Sequence, residues 1–151
     1  MESTLPNIRI ADSDDLTITE ILRVEHRALR ELMAAMERWL LAPVSPDALR
    51  ERAAMLEVAL DTHATREEKH LFDPLRPRSD TARHLVDNMV IVHDEVRGLF
   101  EQIEGSADPT SDLWTVLQIT EEHFNVEEKE VFPLAERLIE RDELVRLGGA
   151  E

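Results

Sequence analysis

The stretch HATREEKHLF, residues 63–72, places a pair of glutamates four residues after a histidine, and it returns as HFNVEEKEVF at residues 123–132. Four residues is just over one helical turn, so the histidine and the first glutamate of each block lie on one face of a helix. The flanking apolar residues recur at spacings of three and four, which is typical of amphipathic helices. The two blocks therefore predict a helical protein built from two similar halves.

Working outward from these blocks, the same periodicity predicts four long helices. The first follows a capping box at Thr17–Glu20 and extends to about residue 42, and the second begins at 45 or 46 and reaches Phe72, where a proline at 74 ends it. The third spans 79 or 80 to 105, and the fourth begins at 110 or 111 and is kinked or ended by Pro133, before a last helical stretch to residues 148–149. The predicted fold is all-α: an antiparallel up-down-up-down four-helix bundle with an acidic N-terminal arm and a short C-terminal helix. We expect the arm at 1–16, the bundle at 17–147 and a tail at 148–151.

The amino-acid composition limits the classes of ligand and partner that the chain can bind. A chain of 151 residues fits one domain with a real core. With 17 Lys and Arg against 33 Asp and Glu, the net charge of −16 disfavours binding to nucleic acid or to anionic lipid. No apolar run is long enough to span a membrane, and the N-terminus does not resemble a secretory signal, so we expect a cytoplasmic protein. With no cysteine, a metal site must use nitrogen and oxygen ligands.

Polar residues interrupt the apolar stripe of every predicted helix. Buried carboxylates and imidazoles are costly without compensation, and a metal ion supplies it. The segments 25–33 and 92–100 also align with each other, so each half of the chain contributes one histidine and one His-x-x-x-Glu motif. The sequence therefore predicts two metal ions bridged by the two glutamates. The candidate ligands are His26, His63, Glu67, His93, His123 and Glu127.

These motifs resemble the hemerythrin-like family, the HHE cation-binding domains, over roughly residues 17–140. The resemblance implies a non-haem di-iron centre with two Fe ions, carboxylate bridges and oxo or hydroxo bridges. Position by position, it implies that His26 and His63 serve one iron and that His93 and His123 serve the other. Its small-molecule partners would be dioxygen, hydrogen peroxide or nitric oxide, with catalase- or peroxidase-like turnover as one form of activity. The alternative is a non-catalytic iron-sensing or iron-holding module, and a third interpretation is a scaffold with zinc or no metal.

Several positions leave alternatives open. The adjacent Glu68 and Glu128 compete with the assigned bridges, and His70 shares a helix face with His63, where it could be a further ligand or a proton shuttle. Oxygen-carrying hemerythrins have a histidine on the third helix where this chain has Met89. A thioether is a poor ligand for ferric iron, so this departure favours reactivity or sensing over reversible oxygen carriage.

Overall fold

Caps and prolines determine where the long helices begin. The computed structural model describes residues 15–150 and contains α1 (Ile18–Leu40), α2 (Pro46–Glu67), α3 (Asp80–Gly105), α4 (Pro109–Val126), α5 (Phe132–Leu138) and α6 (Arg141–Gly148). The predicted capping box is present, with the Glu20 backbone N–H donating to Thr17 Oγ1 at 3.1 Å and the Thr17 N–H donating to the Glu20 carboxylate at 2.8 Å. Side-chain caps also begin α2, α3 and α4, and proline occupies the first turn of α2 and of α4.

Two π-helical turns mark the ends of α2 and α4. They span Glu68–Phe72 and Glu127–Val131, and in each the residue after the turn donates its N–H to the carbonyl five residues back. Each π turn is followed by a proline two residues after its last residue, at positions 74 and 133. Proline has no N–H and its ring crowds the carbonyl four residues earlier, and the wider π turn accommodates both constraints. The prediction that the second helix ends at residue 72 was therefore wrong, because helical geometry continues to residue 78. At position 133 the helix does not end but continues as α5.

The core consists of two apolar clusters with a polar layer between them. Along α1, Ile18 and Leu22 belong to one cluster and Leu29 and Met33 to the other, and His26 lies between them. A buried histidine or glutamate also separates apolar residues of the two clusters along α3, and along α2 and α4 together with the π turns that follow them. The polar residues that interrupt the stripes therefore meet at one level inside the helical core.

The long helices pack around this layer, and α1 and α3 each contact both α2 and α4. Ion pairs join Arg30 to Glu121 at 3.1 Å and Arg23 to Glu136 at 2.6 Å. The chain therefore runs antiparallel to α1 over residues 121–136. The all-helical class is confirmed, and residues 15–150 contain no strand. The complete up-down-up-down order and the domain bounds stay predictions, and the predicted arm falls almost entirely outside the described residues.

The short C-terminal helix α6 packs against the start of α1. Gly148, which ends α6, approaches so closely that a Cβ there would lie 2.9 Å from the Leu16 carbonyl oxygen and 3.0 Å from the Ile18 nitrogen. A glycine is needed at this position for space, and not for an unusual backbone conformation, since no described residue has a positive φ. Within residues 15–150, no helix is both long and apolar enough to cross a membrane.

Candidate metal centre

The structure brings the six predicted ligands together in the polar layer. Each side chain is buried, and those of His26, Glu67 and Glu127 are completely inaccessible to solvent. Their ligand atoms form two groups, within each of which all atoms lie no more than 4.8 Å apart. The first group contains His26, His63, Glu67 and Glu127, and the second contains His93, His123, Glu67 and Glu127.

Glu67 lies between the two groups. Its Oε2 is 3.7 Å from His63 Nε2, and its Oε1 is 3.2 Å from His93 Nε2. One carboxylate thus presents one oxygen to a histidine of each group, which is the arrangement that a bridging ligand requires.

Glu127 occupies the equivalent position in the second half of the chain. Its Oε1 lies 3.1 Å from His26 Nε2, and its Oε2 lies 2.9 Å from His123 Nε2. Two ligands bound to one ion at about 2.1 Å are themselves about 3 Å apart, so these separations fit metal coordination.

Unpaired buried atoms provide an independent test of whether a cation fits. Across residues 15–150, hydrogen-bond partners are missing for Nε2 of His26 and His63 and for both oxygens of Glu67 and Glu127. Each buried polar atom without a partner costs about 1–3 kcal/mol. All six of these atoms belong to the two groups, and nitrogen and carboxylate oxygen are ligands that iron and zinc accept. The residues present therefore fit a pair of metal ions.

The electrostatics of the site agree with this donor set. Burial raises the pKa of Glu67 well above its usual range, and the neighbouring Glu127 carboxylate adds to the effect. Burial would also raise the pKa of Glu127, but its interactions with the neighbouring Glu67 and His123 outweigh burial and hold this pKa low. Burial lowers the pKa of His63, which favours the neutral imidazole that binds metals.

An outer ring of carboxylates orients three of the four imidazoles. Glu128 lies 2.7 Å from His26 Nδ1, Glu25 lies 2.7 Å from His63 Nδ1, and Glu68 lies 2.6 Å from His93 Nδ1. An imidazole that donates its Nδ1–H to a carboxylate turns a bare Nε2 towards the core, ready to bind a metal. These contacts therefore favour metal-binding tautomers at three positions.

Arginines hold the outer carboxylates in place. Arg30 donates to Glu128 at 2.7 Å, and Arg97 donates to Glu68 at 3.2 Å. Burial alone would raise the pKa of both glutamates, but hydrogen bonds from the histidines and from these arginines outweigh burial, and the net effect lowers both pKa values. Glu68 and Glu128 therefore lie outside the two ligand groups, and the first glutamate of each pair is the one that faces the centre.

Sequence reasoning missed Glu25, Arg30 and Arg97. Glu25 immediately precedes His26 on a helix, where a one-residue step turns the side chain by about 100°, so no periodicity marks it. Arg30 and Arg97 each lie four residues after a site histidine, and this shared spacing is the signal that could have identified them.

The remaining singled-out positions lie outside the two ligand groups. His70 is buried but belongs to neither group, and His84 is exposed. Met89 packs in the apolar cluster that contains Leu71 and Phe72.

These observations define a helical protein with a buried centre of four histidines and two glutamates that suits cations. The sequence matches the family model of the hemerythrin HHE cation-binding domain over residues 17–135, and the chain belongs to that family. The family model thus covers the capping box, all six candidate ligands and both π turns. No curated protein and no solved structure matches the sequence.

Proposed function

We propose that this protein is a non-haem di-iron protein that binds or reacts with dioxygen, hydrogen peroxide or nitric oxide. The observation that carries the proposal is the pair of ligand groups sharing two buried carboxylates. His26 and His63 would hold one iron, His93 and His123 the other, and Glu67 and Glu127 would bridge them. Such a centre supplies redox chemistry and exchangeable positions for small oxidants when it is bound.

The protein's own residues prepare this centre in three ways. The outer carboxylates keep Nε2 of His26, His63 and His93 aimed inwards. The apolar clusters above and below the polar layer keep bulk water away. Met89 removes a nitrogen donor from α3, which leaves more room for exchangeable ligands and favours reaction over reversible carriage.

The acidic surface suits a cation-binding protein. A net charge of −16 raises the local concentration of cations around the molecule and repels phosphate backbones. We therefore propose small molecules as the ligands and exclude nucleic acid.

The decisive experiment combines iron quantification with absorption spectra of untagged protein, recorded first without oxygen and then in air. We expect two irons per chain, one for each ligand group, and an oxygen-dependent change in the spectrum. The double substitution His63→Ala with His123→Ala should abolish both, whereas His84→Ala, at an exposed position, should retain both. A folded wild-type chain with little iron, unchanged by the double substitution, would refute the proposal.

Added peroxide separates turnover from iron holding. Rapid peroxide breakdown that requires the ligand histidines would support a reactive centre. Unchanged peroxide, together with loss of the folded state when iron is chelated, would instead identify an iron-holding or iron-sensing module. The buried unpaired atoms make metal binding stabilising in either case, so the fate of peroxide is the result that separates the two functions.

A further inference from the structure

The two halves of the centre differ in the outer ring. In the first half, Glu25 accepts the hydrogen bond of His63 Nδ1 at 2.7 Å. The internal repeat places Val92 at the position of Glu25, and valine offers no acceptor. Accordingly, Nδ1 of His123 has no hydrogen-bond partner among the described residues, although the ring is buried.

A second difference lies one helical turn before each repeat histidine. The first half has Leu60 there, and the second half has Thr120, which is 4% exposed. A helical threonine commonly donates its hydroxyl to the carbonyl four residues earlier, as Thr62 does to Val58 at 2.8 Å and Thr115 does to Ser111 at 3.1 Å. The Thr120 hydroxyl makes no such bond, nor one to any other residue that the structure describes.

Both differences border the same cavity. It has a volume of about 50 Å³ and lies between α2, α3 and α4. Thr120, His93 and His123 form part of its wall, and so does His63 of the first half, together with apolar side chains that include Val92 and Val96. A single water needs about 10–15 Å³ of such volume, so the cavity is large enough for a molecule of two or a few heavy atoms.

Three charged side chains also line the cavity. Glu57, Asp61 and Arg97 line it, and Arg97 is already paired with Asp61 at 2.8 Å and with Glu68 at 3.2 Å. The remaining acid, Glu57, therefore disfavours negatively charged ligands, while the apolar wall favours uncharged ones.

We propose that this cavity is the docking pocket for a small uncharged ligand with an O–O bond, held by the Thr120 hydroxyl beside the His93 and His123 half of the centre. The inference rests on the proposed di-iron function and adds which half takes the ligand, because both histidines of the second half line the cavity and only His63 of the first half does. His26, by contrast, is completely buried and stacks on Phe124 with ring centroids 3.9 Å apart. Thr120 acts as a hydrogen-bond donor to the ligand and is a positioning residue.

Xenon binding to the metal-free protein tests the pocket without relying on activity. Xenon is uncharged and apolar, and its bound position can be read from a crystal under xenon pressure or from xenon NMR. We expect binding in this cavity in the wild type and in Thr120→Val, and loss of binding in Val96→Phe, which fills the space. A wild-type cavity that takes up no xenon would overturn the pocket.

The role of the hydroxyl is tested by peroxide kinetics of the iron-loaded protein. Thr120→Val should retain iron and xenon binding but raise the KM for peroxide by about tenfold, the effect of one hydrogen bond, with a smaller change in kcat. Thr120→Ser should restore the wild-type KM, and Thr115→Val should leave it unchanged. An iron-loaded Thr120→Val protein with a wild-type KM would overturn this inference alone. A wild-type chain that binds no iron would overturn the proposed function and this inference with it.

Discussion

Replacing the bridge candidate Glu67 by methionine should stabilise the metal-free protein. The Glu67 carboxyl is completely buried, and neither oxygen has a hydrogen-bond partner among residues 15–150. Methionine has a similar unbranched shape and no strongly polar atom, so it fills the same space without the desolvation cost. The substitution should thus raise the stability of the metal-free protein and weaken metal binding.

The structure sets the size of this effect. Replacing buried charged groups by apolar residues of similar volume often stabilises a protein by about 1–4 kcal/mol. Two unpaired oxygens argue for the upper part of that range, but the raised pKa of Glu67 lets the group take up a proton and reduces the cost. His93 also loses the oxygen 3.2 Å from its Nε2, although it keeps His123 Nε2 at 2.9 Å. We therefore expect a gain of about 2 kcal/mol, or roughly 4–8 °C in Tm.

The gain should grow with pH. Because the pKa of Glu67 is higher in the folded protein than in the unfolded chain, the unfolded chain releases its proton first as pH rises. The contribution of Glu67 to stability is therefore most favourable below its unfolded pKa and declines as pH rises towards the folded pKa. Methionine removes this decline, so the difference between variant and wild type should be smallest in acid.

Urea unfolding with a chelator present measures the effect, and iron quantification without the chelator measures its functional cost. Glu67→Met should be more stable without metal and should bind less iron. The control is Glu68→Met, which removes the acceptor 2.6 Å from His93 Nδ1 and the partner of Arg97, and should lower stability. We therefore expect Glu67→Met to raise the free energy of unfolding and Glu68→Met to lower it. If Glu67→Met destabilises the metal-free protein as Glu68→Met does, the reasoning about unpaired buried oxygens is refuted.

Three further predictions concern packing, the outer ring and pH. Gly148→Ala should destabilise the protein by about 1–3 kcal/mol in thermal unfolding, because the new Cβ would lie 2.9 Å from a backbone oxygen that cannot move freely. Glu25→Gln should weaken iron binding by about 10–100-fold in chelator competition, since it removes the charge that orients His63. Burial raises the pKa of Glu136, but hydrogen bonds from Arg23 and Thr19 outweigh it and lower this pKa. Its contribution to stability is thus present above the unfolded pKa and lost as pH falls through the folded pKa, so Glu136→Gln should cost less stability at pH 3 than at pH 7.

Matched controls separate these effects from general disturbance. Gly98→Ala should stabilise the protein by about 0.5–1 kcal/mol, because a Cβ there meets nothing within 4 Å and helical alanine is favoured over glycine. Equal effects at Gly98 and Gly148 would contradict the close contact. Glu31→Gln, at an exposed position on α1, should leave iron affinity unchanged. Unchanged affinity in Glu25→Gln as well would contradict the role of the outer ring.

The sequence predicted the residues of the buried polar layer better than the ends of the helices. His26 and Glu67 could be found because polar residues at core positions of a helical stripe are costly and need a reason. The helical geometry beyond residue 72 could not be found, because proline usually ends a helix and the π turn that accommodates Pro74 leaves no mark in the periodicity. Glu25 was missed for a related reason, since its partner His63 lies 38 residues away on another helix.

The internal repeat explains both the symmetry of the centre and where that symmetry ends. Both halves keep the histidines and the glutamates that face the polar layer, so two equivalent ligand groups follow from the repeat itself. The repeat has Val92 where the first half has Glu25, and Thr120 where the first half has Leu60. These positions lie next to the candidate ligands, so neither difference changes the number of candidate ligands. Each difference changes which polar atoms are paired, and together they leave His123 Nδ1 and Thr120 Oγ1 unpaired, in two residues that line the cavity. Under the proposed function, a repeat with two matching groups of candidate ligands would thus direct its small-molecule ligand to one side through the residues next to those groups.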